Sequence, residues 1–235
     1  GAALFHTGLA QKIGIGIVKI SGTKESSLMF GIMVVSAALS SCLSNTGTAA
    51  CLMPVVLGIC AAAKIPASRQ LMPLAYAAGI GGVITMVGTP PNIIVSGVLT
   101  SFGYESFSFV EFAWIGIPLT FVVIAYMMFI GKDLLPKAEL DADQEIEQEI
   151  EATVTDSKKQ IVSGLILAVC IIVMALDLKA ISLEMTAIVG ALVCVLTGCL
   201  TEKQAYSAID WVTIFLFAGM TPVSTAMDKT GAGKL

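Results

Sequence analysis

Between Phe112 and Ile130 the chain runs for nineteen residues without a charged side chain. A helix rises about 1.5 Å per residue, so roughly 20 apolar residues cross the hydrocarbon of a bilayer. Ile161–Leu178 and Leu183–Leu200 are runs of the same length class, with Asp177 and Glu184 flanking a short turn between them. Trp211–Met227 is a slightly shorter fourth run and opens on an aromatic of the kind found at membrane interfaces. Apolar residues make up 56% of the chain, charged residues 13%, and the mean hydropathy is +0.90. A soluble domain carries about 25% charge to cover its wetted surface. The expected fold class is an all-α polytopic membrane protein, multi-pass in a bacterial-type plasma membrane, with the lipid bilayer as its main surrounding.

The first half departs from this pattern. Leu28–Leu43 and Gly47–Ala63 are apolar but only 16 and 17 residues long, and Ser44-Asn45-Thr46 stands between them. Leu71–Val87 and Ile93–Leu99 are separated by Gly88-Thr89-Pro90-Pro91-Asn92, where tandem proline bars a regular helix from continuing. Lys12, Lys19 and Lys24 precede the first pair of runs, and Lys64 and Arg69 follow it. Both ends therefore carry the positive charge that favours the cytoplasm. Two short helices with both ends inside predict a re-entrant hairpin rather than two crossings.

The organisation that follows assigns residues 1–25 to the end of a preceding helix and a basic cytoplasmic segment, and 26–65 to the hairpin. Residues 66–111 form a discontinuous helix and an external segment, 112–131 a transmembrane helix, and 132–160 an acidic cytoplasmic loop. Residues 161–235 supply three further transmembrane helices opening a second repeat. Ala3, Leu4 and Thr7-Gly8 align with Ala226, Met227 and Thr230-Gly231. That offset encloses five crossings, and an odd number inverts the copy that follows. Inverted-repeat transporters bind substrate near the midplane, between their repeats. The chain has no initiator Met and stops soon after Thr230-Gly231, so it reads as a fragment.

Composition also excludes several classes. The net charge of −4 comes from one stretch, because nine of the seventeen acidic residues lie between Asp133 and Asp156. No basic cluster suits nucleic acid. Asp141-Ala142-Asp143-Gln144-Glu145 starts like an EF-hand, but Ile146 and Ala152 stand where a glycine and a glutamate are needed, so the stretch reads as a solvated linker. The six cysteines show no CxxC spacing and read as small buried apolar residues. His6, the single histidine, reads as a surface or interface residue. Asp228 spoils a P-loop before Gly233-Lys234, and no catalytic motif is present, so no enzyme is expected.

Lipid cannot satisfy broken backbone, so a break at depth persists only if protein, water or a ligand pairs its polar groups. Ser44-Asn45-Thr46-Gly47-Thr48 brings hydroxyls, an amide and free N–H groups to the start of a helix whose dipole favours an anion. The carbonyls ending the helix before it suit a hard cation. The break at 88–92 is read as supplying the same chemistry.

Ser-Asn-Thr at 44–46, followed by Thr48-Ala49-Ala50 and Met53-Pro54, then Gly81-Gly82 and Gly88-Thr89-Pro90-Pro91-Asn92-Ile93, closely resembles the divalent-anion/sodium symporter family. The likeness covers residues 1–135 well and the remainder by hydropathy. It implies an inverted-repeat transporter with a re-entrant helical hairpin and a discontinuous transmembrane helix in each repeat. It implies sodium-coupled transport of a small di- or tricarboxylate or sulfate, with Ser44, Asn45, Thr46, Thr89 and Pro90 on the anion. It implies sodium at Ser40, Ser44, Asn45, Gly88, Thr89 and Asn92, no other metal or cofactor, and a homodimer. A related ion exchanger or permease, of the sodium/proton antiporter or arsenite type, is the alternative. An intramembrane Asp or Glu would favour it, and none sits mid-span in the first half.

Overall fold

The apolar runs form helices over most of their length. The computed structural model describes residues 2–21, 24–63, 65–136, 157–176 and 182–231, and among them no strand occurs. The helices in order are α1 (Ala2–His6), α2 (Leu9–Ser21), α3 (Glu25–Ser40), α4 (Asn45–Ala63), α5 (Ser68–Gly81) and α6 (Pro90–Ser101). Then come α7 (Ala113–Leu134, with a π-helical turn at Met127–Gly131), α8 (Ser157–Ala175), α9 (Leu183–Leu196), α10 (Glu202–Ser207) and α11 (Trp211–Thr230). Most of the acidic stretch expected over 132–160 lies outside the described residues.

Helices α3 and α4 form an antiparallel hairpin. Leu28, Ile32 and Val35 climb α3 in one core with Leu52, Val56 and Cys60, which descend α4, and Leu74 of α5 closes it. A second core joins Met29 and Met33 of α3 to Ala77 of α5 and to Ile124 and Met127 of α7. Small residues let α3 and α5 approach closely: a Cβ on Gly81 would stand 2.5 Å from the Cα of Ala37. After α6 the chain turns at Gly103 (φ 83°) and folds back over the break before it. The Phe107 N–H donates to the Ser96 hydroxyl at 3.1 Å, and the Met86 N–H to the Phe109 carbonyl at 3.1 Å. On the other side, Ala3 of α1 packs with Cys194, Cys199 and Leu200, and the hydroxyls of Thr7 and Ser163 are 2.9 Å apart.

Three boundaries differ from expectation. The hairpin turn is 41–44 rather than 44–46, so Asn45 and Thr46 belong to the first turn of α4. Helix α5 ends at Gly81 rather than Val87, and the break runs over 82–89. Gly81-Gly82 ends it because glycine is a poor helix former, while Pro90-Pro91 begin α6, their fixed φ suiting the first helical positions. Helix α9 has only 14 residues, about 21 Å, because Ser182 caps its start and Gly198 (φ 71°) turns the chain after its end.

Helices α7 and α8 are long and apolar enough to cross a membrane by length and composition. Trp114, Phe121 and Phe129 on α7 are 83%, 71% and 79% exposed, a surface that water would not tolerate as a continuous band. Alanine suits a helix better than glycine by about 1 kcal/mol. Gly79→Ala, whose Cβ meets nothing within 4 Å, should therefore leave thermal unfolding in detergent unchanged or slightly raised. Gly81→Ala should lower stability by about 1–3 kcal/mol, through overpacking against Ala37.

Candidate functional site

The two helix breaks meet. Helix α5 ends at Gly81, so the carbonyls of its last turn lack the donors a continuing helix would supply. Ser40, fully buried at the end of α3, donates its hydroxyl to the Ala78 carbonyl at 2.6 Å. The Asn45 amide lies beside it. One amide atom faces Ser40 Oγ (2.7 Å), the Ala78 carbonyl (3.2 Å) and the Gly88 carbonyl (3.3 Å), and is assigned as the nitrogen from those partners. Oδ1 then takes the position 3.4 Å from the Gly79 carbonyl oxygen. Two acceptor oxygens at that separation need something between them, and at this solvent-exposed position a water or a small hard cation can serve.

The loop of residues 82–89 is wedged beneath this tip. A Cβ on Gly82 would run into the Asn45 side chain, and one on Gly88 into the Gly82 carbonyl. Asn92, buried in the first turn of α6, donates from Nδ2 to the Thr85 carbonyl at 2.8 Å and the Gly82 carbonyl at 3.3 Å. Thr85 Oγ1 in turn donates to the Ser41 carbonyl at the hairpin turn. Asn92 therefore stitches the loop shut and Thr85 ties it to the tip.

The helix N-termini at the two breaks are not equivalent, contrary to the sequence-based expectation. At α4, Ser44 acts as the cap: its Oγ accepts from the Gly47 N–H at 3.2 Å, and its carbonyl from the Thr48 N–H at 2.9 Å. The N–H groups of Asn45 and Thr46 have no acceptor among the described residues, and the Thr46 hydroxyl is exposed and unpaired. At α6, Pro90 and Pro91 have no N–H to offer, and the Asn92 N–H donates to the Thr89 carbonyl at 3.2 Å. An anion finds free backbone donors at 45–46 and few at 90–92. Thr89, the extended residue before α6, makes no side-chain cap bond, so its hydroxyl remains available. Of the sequence-derived site residues, Ser40, Asn45 and Gly88 converge, Ser44 and Thr46 flank Asn45, and Thr89 follows Gly88. Pro90 is exposed at the start of α6, and the Asn92 amide nitrogen is committed to the loop.

Sequence reasoning missed the Ala78 and Gly79 carbonyls and Thr85. The glycines at 79, 81 and 82 were the available signal, since a helix ending there exposes its last carbonyls. None of the side chains in the site ionises. Among the described residues no group of three His, Cys, Asp or Glu could hold a metal ion. A cavity of about 710 Å³ lies behind the tip between Cys42, Val87, Phe109 and the faces of α8 and α9. Its lining is too apolar for an anion.

The family model for the CitMHS citrate transporters matches residues 1–235. The chain belongs to the CitMHS family. Among its relatives, the uncharacterised transporter YfbS of Escherichia coli (strain K12) is 37% identical over 128 residues, 54% of this chain and 21% of that protein. An uncharacterised transporter of Haemophilus influenzae is 28% identical over 241 residues, 92% of this chain and 50% of its own. One from Mycobacterium tuberculosis (strain ATCC 25618 / H37Rv) is 27% identical over 236 residues, 97% and 53% respectively. This CitMHS chain thus spans about half the length of the curated relatives it matches along its whole length. Membership places the chain in a family of citrate transporters, one related to the sodium symporters its motifs resemble. Replacing Asn92 by Ala should leave the buried Gly82 carbonyl unpaired and the Thr85 carbonyl with only the long bond from the Gly88 N–H (3.4 Å), and lower the unfolding free energy by about 1–3 kcal/mol. Thermal unfolding measures this, and an unchanged transition would mean that the loop does not depend on the stitch.

Proposed function

We propose that this chain carries one half-site of a sodium-coupled transporter for a small di- or tricarboxylate of the citrate class, or for sulfate. The observation that carries the reading is the pairing of Asn45 Oδ1 with the Gly79 carbonyl, beside a helix start whose Asn45 and Thr46 N–H groups are free. Sodium suits the oxygens because it needs no ionised ligand. The anion suits the N-terminus of α4, where the dipole and two N–H groups face it without any Arg or Lys. Asn45 belongs to both, so a cation drawn to Oδ1 holds the amide still and organises the anion subsite. Ser44, Thr46 and Thr89 add hydroxyls, Gly88 and Asn92 hold the loop on the cation side, and Pro90 starts the helix behind Thr89.

In this reading the hairpin α3–α4 is re-entrant, its short helices reaching part way into the bilayer, with both ends on the basic side. A second, inverted copy would supply the facing half-site. One structural likeness supports this. Gly8 and Gly231 both have φ 74°, and the Thr7 and Thr230 hydroxyls donate at 2.8 Å to Ala3 and Ala226, the residues four before them. The reading includes a homodimer in a bacterial-type plasma membrane.

The test is uptake of labelled citrate, succinate or sulfate by the full-length protein in liposomes. Uptake of one of these should require an inward sodium gradient, and potassium should not substitute. Asn45→Ala should reduce uptake at least about tenfold, since one residue serves both ligands, with the folded yield unchanged. Equal uptake in sodium and potassium would remove the coupling. Undiminished uptake by Asn45→Ala would remove the hairpin tip from the site.

A further inference from the structure

At the end of α5 remote from the site, three consecutive side chains each grip another element. Ser68 Oγ donates to the Pro136 carbonyl at 2.8 Å. Arg69 Nη1 stands 2.7 Å from Glu25 Oε1, and its Nη2 donates to the Lys132 carbonyl. Gln70, fully buried, donates from Nε2 to the Glu25 backbone carbonyl at 3.4 Å. The first turn of α5 is thereby fastened to the start of α3 and to the end of α7.

The arrangement runs against local preference. A cation near a helix N-terminus opposes the dipole, so Arg69 is poorly placed for α5 itself. It is well placed for its neighbours, because it meets a carboxylate at the positive end of α3 and an unpaired carbonyl at the negative end of α7. The Arg69 side chain is only 12% exposed, Arg69 Nε and Gln70 Oε1 are buried without a partner, and Glu25 Oε1 meets the guanidinium by charge proximity without a hydrogen bond. The Glu25 side chain is 36% exposed, and a half-buried ion pair with loose ends is weak evidence of stabilisation; fixing geometry is the better-attested use of such groups. Here there is a geometry to fix. Toward the tip the α3–α5 contact is lined by Ala37, Ala77, Ala78 and Gly81, which offer little bulk to resist sliding, while farther from the tip Leu74 packs against Leu28, Ile32 and Val35. A slip of one residue, about 1.5 Å along the axis, would stretch the 2.6 Å bond from Ser40 to the Ala78 carbonyl and change its angle.

We propose that Arg69 is a positioning residue: its fork between Glu25 and the Lys132 carbonyl sets the register of α5 against α3 and α7, and so the spacing of the Ala78 and Gly79 carbonyls from Ser40 and Asn45. The functional part of the inference rests on the reading of that tip as a cation site, and the structural part does not. Arg69→Lys keeps the charge but loses the fork. In the full-length protein it should raise the sodium concentration for half-maximal uptake by at least about fivefold, while the maximal rate stays within about twofold. The charge swap Glu25→Arg with Arg69→Glu restores a pair but not the grip on the Lys132 carbonyl, and should not rescue the sodium dependence.

Register is read independently by spin labels on Val34→Cys of α3 and Tyr76→Cys of α5, both exposed, with the native cysteines replaced. Arg69→Lys should shift or broaden their distance distribution. An unchanged distribution, or full rescue by the charge swap, overturns the proposal. If the parent protein takes up anion without sodium, the cation reading fails on its own. The label distances then decide whether Arg69 sets the register.

Discussion

A carbonyl at the end of a helix must meet another donor, water or a cation, and in this chain the Ala78 and Gly79 carbonyls of α5 are in that position, the first buried and the second open to solvent. Ser40 satisfies the first by donating its hydroxyl across the α3–α5 contact. The second faces Asn45 Oδ1, another acceptor, so hydrogen bonding within the protein leaves this pair unresolved. Much of the first half of the fold serves to hold those atoms there. The hairpin carries Ser40 and Asn45 to the end of α5, and the loop 82–89 closes under them. Asn92 and Thr85 keep that loop from drifting.

Close approach makes this possible. Gly81 lets α5 lie against Ala37, and Gly82 leaves room for the Asn45 side chain. Gly116 does the same for α7, where a Cβ would stand 2.7 Å from the Cα of Ile84. With so little side-chain bulk near the tip, polar pins at the two ends of the contact add to the Leu74 core in resisting sliding. They are Ser40 with the Ala78 carbonyl at the tip, and Arg69 with Glu25 at the base.

Much of this was legible in the residues. The charge-free run at 112–130 predicts the longest helix, and two polar interruptions within short apolar runs predict a hairpin and a broken helix. Ser44-Asn45-Thr46 marks the tip because such residues favour caps over helix interiors. Other features could not be read so directly. Pro90-Pro91 looked like the end of a helix, yet proline both ends one helix and suits the start of the next, and only the partners of Asn92 decide which. The length of α9 hid behind an unbroken apolar run, because Gly198 is a helix residue or a stop depending on its φ. The Ala78 and Gly79 carbonyls have no side-chain signature at all. Glu25 and Arg69 are far apart in sequence, and no periodicity links them.

The central claim is that cation and anion meet at the hairpin tip and depend on each other. The most direct measurement is the rate at which a thiol-reactive maleimide modifies Thr46→Cys in the full-length protein. Thr46 is exposed beside the free N–H groups of α4. On this account citrate or another carried anion slows modification markedly when sodium is present, and much less when potassium replaces it. Modification at one rate in all conditions, or protection that ignores the cation, would contradict it.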